Sequence, residues 1–346
     1  MPKIVVGITG MNAIDNPGPG VGIARSLRDD PELDVEIIGL AYNALEPGIY
    51  MDWVVDRSFT LPYPSVGAAE YLARLQQIRE LTGLNCVIPC LDAELPLYIR
   101  FAKELAAAGL RTCLPTMPQF RLRGKDRLAE LAERSNLRVP KTFVIYEEAE
   151  LWQALDEIGY PAFVKGIYYE ARRGTTAAEA AAQYRHLIAE WGGPVLVQEQ
   201  IQGDELNVVG AGDENGELLG LVGARKTVVT SLGKMWSGVS IRHPAMLEAA
   251  ERFVRTHHWR GPFELECIVQ GDDVYLIEIN PRFPAWVYFA SALGVNLPSR
   301  LARRMFDLPA ETHSDYEAGQ LFLRYSYDML ASPALYQAAL TTGQSP

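Results

Sequence analysis

The sequence predicts an α/β unit with an open parallel sheet, followed by α+β lobes. Three observations carry this. Short apolar runs alternate with amphipathic stretches through residues 1–115, the pattern of strand–helix–strand units. The rhythm changes near Pro115. From residue 194 a run of strands ends in an acid-bearing hairpin, "FELECIVQGDDVYLIEINPRF". A chain of 346 residues exceeds one comfortable core and suits two or three domains.

Taken in order, "KIVVGIT" (3–9), "DVEIIGLAY" (34–42) and "NCVIP" (85–89) read as buried strands. Helices are expected over 21–30 and 94–109. The loop "GITGMNAIDNPGPGVG" does not spell G-x-G-x-x-G, so a tight structural turn is preferred over a cofactor loop. Residues 124–145 then read as a helix with a Leu128, Leu131 and Ala132 stripe, a turn at Val139 and Pro140, and a strand. A second helix follows, then "YPAFVKG" (160–166), a linker rich in Arg, Gly and Thr, and a helix over 176–191. Helices over 285–293 and 297–306 are expected to close this part. Residues 311–346 are not placed, and "QLFLRYSYDML" reads as either a strand or a short helix.

Composition narrows the function. The net charge of −11, from 43 acidic and 32 basic residues, disfavours a nucleic-acid groove, which needs clustered cations. No apolar run approaches the ~18 residues of a membrane span. The N-terminus reads as a first strand, not a signal peptide. Cys86, Cys90, Cys113 and Cys267 lack C-x-x-C spacing and a His cluster. They are expected to be buried reduced thiols of a cytoplasmic protein.

The hairpin raises the chemical question. Alternation puts Phe263, Leu265, Cys267 and Val269 on one face and Glu264 and Glu266 on the other. In the second strand it groups Leu276 with Glu278 and Asn280. A three-residue loop, Gly271 to Asp273, pairs Gln270 with Val274, Glu266 with Glu278 and Glu264 with Asn280. A two-residue loop would set Glu266 against Ile277. Paired carboxylates ~4 Å apart repel by up to ~4 kcal/mol at an effective dielectric near 20. A divalent cation offsets this, and Asn280 adds an oxygen ligand suited to magnesium. Facing water, or pairing with Arg282 or Arg225, would offset it too, and the hairpin alone leaves these alternatives even.

Lys165 ends the apolar "AFVK", where an ammonium needs an anion, and Lys125 follows Gly124 at a helix start suited to phosphate. In "LVQEQIQGDEL", an apolar strand carries Gln198 and Glu199 into Ile201 and a glycine turn before Glu205. Such a stretch can offer an adenine edge and a ribose acceptor.

Together these segments resemble the ATP-grasp superfamily of ligases, in the manner of biotin carboxylase and carbamoyl-phosphate synthetase. "EINPRF" is the most specific motif; "GKD", "FVKG" and "VQEQIQGDEL" follow the expected order. The resemblance implies a Rossmann-like domain (1–115), a small lobe (116–200) and a large lobe with the metal site (201–310), the lobes clasping ATP. It implies that Lys125 and Lys165 contact phosphate, Lys165 also acting in catalysis. Gln198, Glu199 and Ile201 match the adenine-edge strand, and Glu205 the ribose acid. Glu266, Glu278 and Asn280 match ligands of Mg2+, or of Mn2+ in its place. Arg282 matches the catalytic arginine beside the acyl phosphate.

The implied reaction phosphorylates a carboxylate and couples it to an amine, forming a C–N bond and releasing ADP and phosphate. The phosphate-covering loop "GIYYEARRGTTAA" departs from the family in having few glycines, so Arg172 and Arg173 are candidate phosphate contacts. Arg225, Lys226 and Trp236 lie in the acceptor region. Tyr168, Tyr169, Trp286 and Tyr288 extend an aromatic hint of a substrate wall. The expected partners are a small carboxylate and an amine, with neither nucleic acid nor membrane. Related ligases are often dimers, so a homodimer is allowed. A stand-alone carboxylate–amine ligase is preferred. The alternatives are a bicarbonate-phosphorylating enzyme like carbamoyl-phosphate synthetase, a non-catalytic ATP- or partner-binding protein, and an NAD(P) enzyme built on the first loop.

Overall fold

Four parallel strands open the chain: β1 (Ile4–Ile8), β2 (Val35–Ala41), β3 (Arg57–Thr60) and β4 (Cys86–Ile88), in spatial order β3-β2-β1-β4. The computed structural model describes residues 3–135, 137–167 and 170–345. Every position of β1 is buried, as expected where helices cover both faces of a parallel sheet. The connecting helices are α1 (Pro19–Arg28) and α2 (Ala68–Thr82). The helix expected over 94–109 is instead two, α3 (Leu95–Arg100) and α4 (Ala102–Ala107), broken at Phe101. The loop after β1 folds on itself: Gly18 N–H donates to Asn12 O at 2.7 Å and Gly20 N–H to Gly10 O at 3.1 Å. A Cβ on Gly20 would sit 2.2 Å from Thr9 O, so a side chain there is excluded.

α5 (Met117–Arg121) carries a capping box between Thr116 and Gln119. α6 (Leu128–Ser135) buries Leu128, Leu131 and Ala132 as expected. A four-stranded antiparallel sheet follows, from β5 (Thr142–Ile145), β6 (Ala162–Gly166), β7 (Ala171–Gly174) and β8 (Val195–Glu199), in order β5-β8-β6-β7. α7 (Glu148–Ile158) and α8 (Ala177–Trp191) cover one face through Leu151, Leu155, Leu187, Val164 and Val197. Strand alternation puts Lys165 and Gln198 on the opposite face.

The large sheet runs through β9 (Asp204–Gly212), β10 (Leu218–Val229), β11 (Met235–Ile241), β12 (Gly261–Gln270) and β13 (Asp273–Asn280). One face packs on α6 and α9 (Pro244–His257) around Phe253, Trp259, Phe263 and Leu265. On the other face Val209, Ala211 and Val222 share a core with α10 (Val287–Ala292), α11 (Leu297–Met305), α1 and β1. Those two helices therefore join the large sheet to the first one.

The β12–β13 turn differs from the expected one. Gln270 pairs with Asp273, leaving a two-residue loop, Gly271 and Asp272, yet Glu266 still faces Glu278 and Glu264 faces Asn280. A register shift between Glu266 and Cys267 explains both facts: Ile277 is an extra residue, a β-bulge. The bulge also corrects the predicted faces. Leu276 lies in the apolar core with Ile279, not beside Glu278.

The C-terminal residues close the fold. β14 (Leu321–Phe322) pairs with β11 at the edge of the large sheet, giving the order β13-β12-β9-β10-β11-β14. α12 (Pro333–Thr341) leads to β15 (Gln344–Ser345), which pairs antiparallel with β3. Among the described residues no helix is long and apolar enough to cross a membrane, and all four cysteines are buried and free.

Candidate active site

The acid ladder lies on the large-sheet face that shares a core with α1 and β1. Glu264 is 5% exposed. Its carboxylate accepts from Asn207 Nδ2 at 2.9 Å, Asn280 Nδ2 at 3.0 Å and the Trp286 indole N–H at 2.7 Å. Asn280 also donates to Glu266 at 3.2 Å. Burial, then the Glu266 charge, pushes Glu264 up to about 7, against the pull of Lys226, Trp286 and Arg282.

Three lysines face these acids. Lys125 Nζ lies 3.1 Å from Glu278, and Lys226 Nζ is 2.7 Å from both Glu205 and Glu266. Burial alone would lower Lys226, but Glu266 and Glu205 outweigh it and raise its pKa. Lys165, on the small sheet, donates to Gln198 Oε1 at 2.5 Å. Burial and the charge of Lys125 lower it to about 8, while Glu278, Glu266 and Glu205 pull it up. The ammonium of one sheet thus senses the carboxylates of another.

The structure brings Lys125, Lys165, Gln198, Glu205, Glu266, Glu278 and Asn280 into one neighbourhood, with differences in detail. Lys125 sits in a turn, and α6 begins only at Leu128, so it is not at the helix start. Gln198 is engaged on both sides, its Nε2 donating to Thr142 Oγ1 at 2.9 Å. Glu199 accepts from Lys141 N–H at 2.6 Å, and half-buried Ile201 follows β8. Arg282 Nε donates to Asp92 at 3.2 Å, just beyond β4. Burial would lower Arg282, but Asp92 and Glu264 raise it.

Arg225 and Lys226 do not share an acceptor site. Neighbours on a strand point to opposite faces, so Arg225 pairs with Asp204 at 2.7 Å while Lys226 enters the acid ladder. Trp236 is half-buried on β11. Two of the described aromatics serve other partners: Trp286 braces Glu264, and Tyr288 donates to Asp29 at 2.8 Å beneath Arg25. Tyr168 and Tyr169 lie outside the described residues. Arg172 and Arg173 are held by Glu170 and Gln200.

Sequence reasoning passed over Asn207, Asp92 and the ligand role open to Glu264. Asn207 alternates with Val209 and Ala211 in "ELNVVGAG", so a polar residue on a buried face was its visible signal. Its Oδ1 is buried without a hydrogen-bond partner. This orphaned acceptor beside the Glu264 and Glu266 carboxylates adds an oxygen of the kind a hard divalent cation takes.

Comparison with known proteins bears on the fold. Residues 193–325 match the family described as "ATP-grasp in the biosynthetic pathway with Ter operon". The biotin carboxylase domain of the Hydrogenobacter thermophilus 2-oxoglutarate carboxylase, solved with MgADP and bicarbonate, superposes with a TM-score of 0.69 at 17% identity, covering 93% of this chain and 74% of that one. This is the ATP-grasp fold.

The L-amino acid ligase from Bacillus licheniformis also superposes, with a TM-score of 0.65 at 16% identity, over 88% of this chain and 75% of that one. In sequence, the chain resembles the carbamoyl phosphate synthase large chain of Pseudomonas syringae pv. tomato, 26% identical over 223 residues, or 60% of this chain. The chain spans 21% of that relative's length.

Proposed function

We propose that the chain is a cytoplasmic ATP-dependent ligase that joins a small-molecule carboxylate to an amine and releases ADP and phosphate. One observation carries this reading: buried Lys125 and Lys165, from different parts of the chain, converge on the acid ladder. Lys125 and Lys165 hold the phosphates, and Lys165 also guides transfer. Gln198, Glu199 and Ile201 line the adenine edge, and Glu205 accepts from the ribose. Glu266, Glu278 and Asn280, joined by Glu264, hold Mg2+ or Mn2+. Residues 116–200 and 201–310 act as the two lobes above the 1–115 domain.

A bound cation would neutralise part of the triphosphate charge. In the first step the substrate carboxylate oxygen attacks the γ-phosphorus, and the bond to the β–γ bridging oxygen breaks as ADP leaves. Arg282 faces the new acyl phosphate, where its cation matches the charge on the phosphoryl oxygens. The amine lone pair then attacks the acyl carbon, the bond to phosphate breaks, and the nitrogen loses a proton. One observation favours a second reading, a non-catalytic ATP-binding protein: Arg172 and Arg173 are already tied to neighbours of the glycine-poor lid.

The test is a thermal-unfolding titration with ATP, with and without Mg2+, followed by ADP release across a panel of carboxylates and amines. Magnesium-dependent stabilisation with ADP release only in the presence of a carboxylate supports the ligase. Stabilisation without ADP release from any pair supports the binding protein. Stabilisation by NAD instead of ATP refutes both.

A further inference from the structure

The C-terminal segment carries an arginine that no described carboxylate pairs with. Phe322 of β14 stacks on Phe289 at 5.3 Å between ring centres. Two residues on, Arg324 turns inward and donates to Asn16 Oδ1 in the loop after β1 and to the backbone oxygen of Ala285. Both acceptors are neutral. Among the described residues no carboxylate pairs with Arg324, whereas Arg282, Arg303 and Arg304 each have one. The nearest acid in that loop, Asp15, is turned to Thr230 at 3.0 Å and Lys234 at 3.5 Å. Burial lowers the Arg324 pKa to about 10, with no opposing charge to raise it. A partly buried guanidinium without an anion is a costly arrangement.

Its surroundings say what would offset that. Ala285 precedes Trp286, whose indole touches Glu264, and Arg282 lies three residues earlier on the same loop. The β1 loop contributes Asn16 and also Asn12, whose Oδ1 is buried without a partner. The tip of the β10–β11 hairpin reaches the same loop through Thr230. Three segments distant in sequence therefore meet beside the end of the acid ladder, and Arg324 supplies the cation of that junction.

We propose that Arg324 binds an anionic oxygen group, a carboxylate or a phosphate, on the molecule that accepts the activated acyl group. Naming that molecule the acceptor rests on the ligase reading; the anion site itself does not. The planar guanidinium suits either group through paired N–H donors, so Arg324 sets specificity for an anionic acceptor over a neutral one.

The test is a thermal-unfolding titration of wild type, R324K and R324Q, each saturated with MgADP. The probes are inorganic phosphate, glycine and glycinamide, with chloride matched for ionic strength. The expected result is stabilisation of wild type by phosphate or glycine beyond chloride, with a midpoint at least tenfold weaker in R324Q. R324K should retain part of the response, which controls for folding. Glycine acting where glycinamide does not assigns a carboxylate; phosphate acting alone assigns a phosphate. Equal anion responses in R324Q and wild type, or no response of wild type beyond chloride, would overturn the proposal. A missing MgADP shift would instead refute the ligase reading and leave the anion comparison interpretable.

Discussion

Two regions of the molecule bury carboxylates and treat them oppositely. At the C-terminal ends of β1, β2 and β4, fully buried Glu94 accepts from the hydroxyls of Thr9, Tyr42 and Tyr71 and from the N–H groups of Cys90 and Leu91. Tyr71 is itself joined to Tyr98 at 3.0 Å. All of these partners are neutral and lie on or beside the first sheet. On the large sheet, Glu264 and Glu266 share Asn280, Glu278 faces Glu266, and Lys125 and Lys226 pair with Glu278 and Glu266, while Asn207 Oδ1 goes unpaired. The first arrangement is complete as it stands. The second uses cations that a metal ion and a ligand could relieve, and that difference, not burial of an acid, makes the ladder the candidate site.

This contrast can be broken at either end. The largest expected effect is on stability alone: Glu94→Ala orphans several buried donors at ~1–3 kcal/mol each. It should lower stability by at least ~3 kcal/mol in denaturant titrations and leave the magnesium-dependent ATP response intact. If that response vanished in a folded variant, Glu94 would belong to the site. Lys226→Met comes next, since it strands Glu205 and Glu266 and should cost about 3 kcal/mol. Millimolar Mg2+ should recover part of that loss, and recovery is the readout that separates a placeholder cation from a structural one.

Saturating MgATP, at about 100 times its dissociation constant, should add ~2.7 kcal/mol to wild type. Glu278→Gln should remove most of that gain in the same thermal assay, and an undiminished gain would dissociate the ladder from nucleotide binding.

The smallest effect is the pH dependence of nucleotide affinity, which Lys165 sets. Lys165 has a folded pKa of about 8 against an ordinary value of 10.5, so between these values the unfolded chain binds more protons. Stability from this group therefore rises with pH across that window, by up to ~3 kcal/mol. Nucleotide affinity runs the other way, falling roughly tenfold, about 1.4 kcal/mol, as the ammonium deprotonates above 8. Lys165→Arg should remove that inflection, because a guanidinium stays charged. An inflection that survives in Lys165→Arg would assign it to another group.

Much of the site was legible because the clues were local. Strand alternation placed Glu264 and Glu266 on one face, and "EINPRF" pointed to the chemistry. The facing of Glu266 and Glu278 was expected from a three-residue loop; the structure reaches it through a two-residue loop and a bulge at Ile277. Period-two reasoning has no term for an inserted residue, which is why Leu276 was assigned to the wrong face. Lys226 was read as a partner of Arg225, although alternation alone separates their faces. What it met across the sheet depended on β9 lying between β10 and β12.

The sequence by itself determined the parallel first sheet, the amphipathic helices and the face of each acid, since burial and backbone periodicity act over a few residues. Tertiary structure decided which distant charges meet: Lys165 with the ladder, Arg282 with Asp92, Arg324 with Asn16 and Ala285. It also returned the C-terminal residues to β11 and β3. Electrostatic partners are chosen by proximity in space, and no local pattern records which strands a fold will bring side by side.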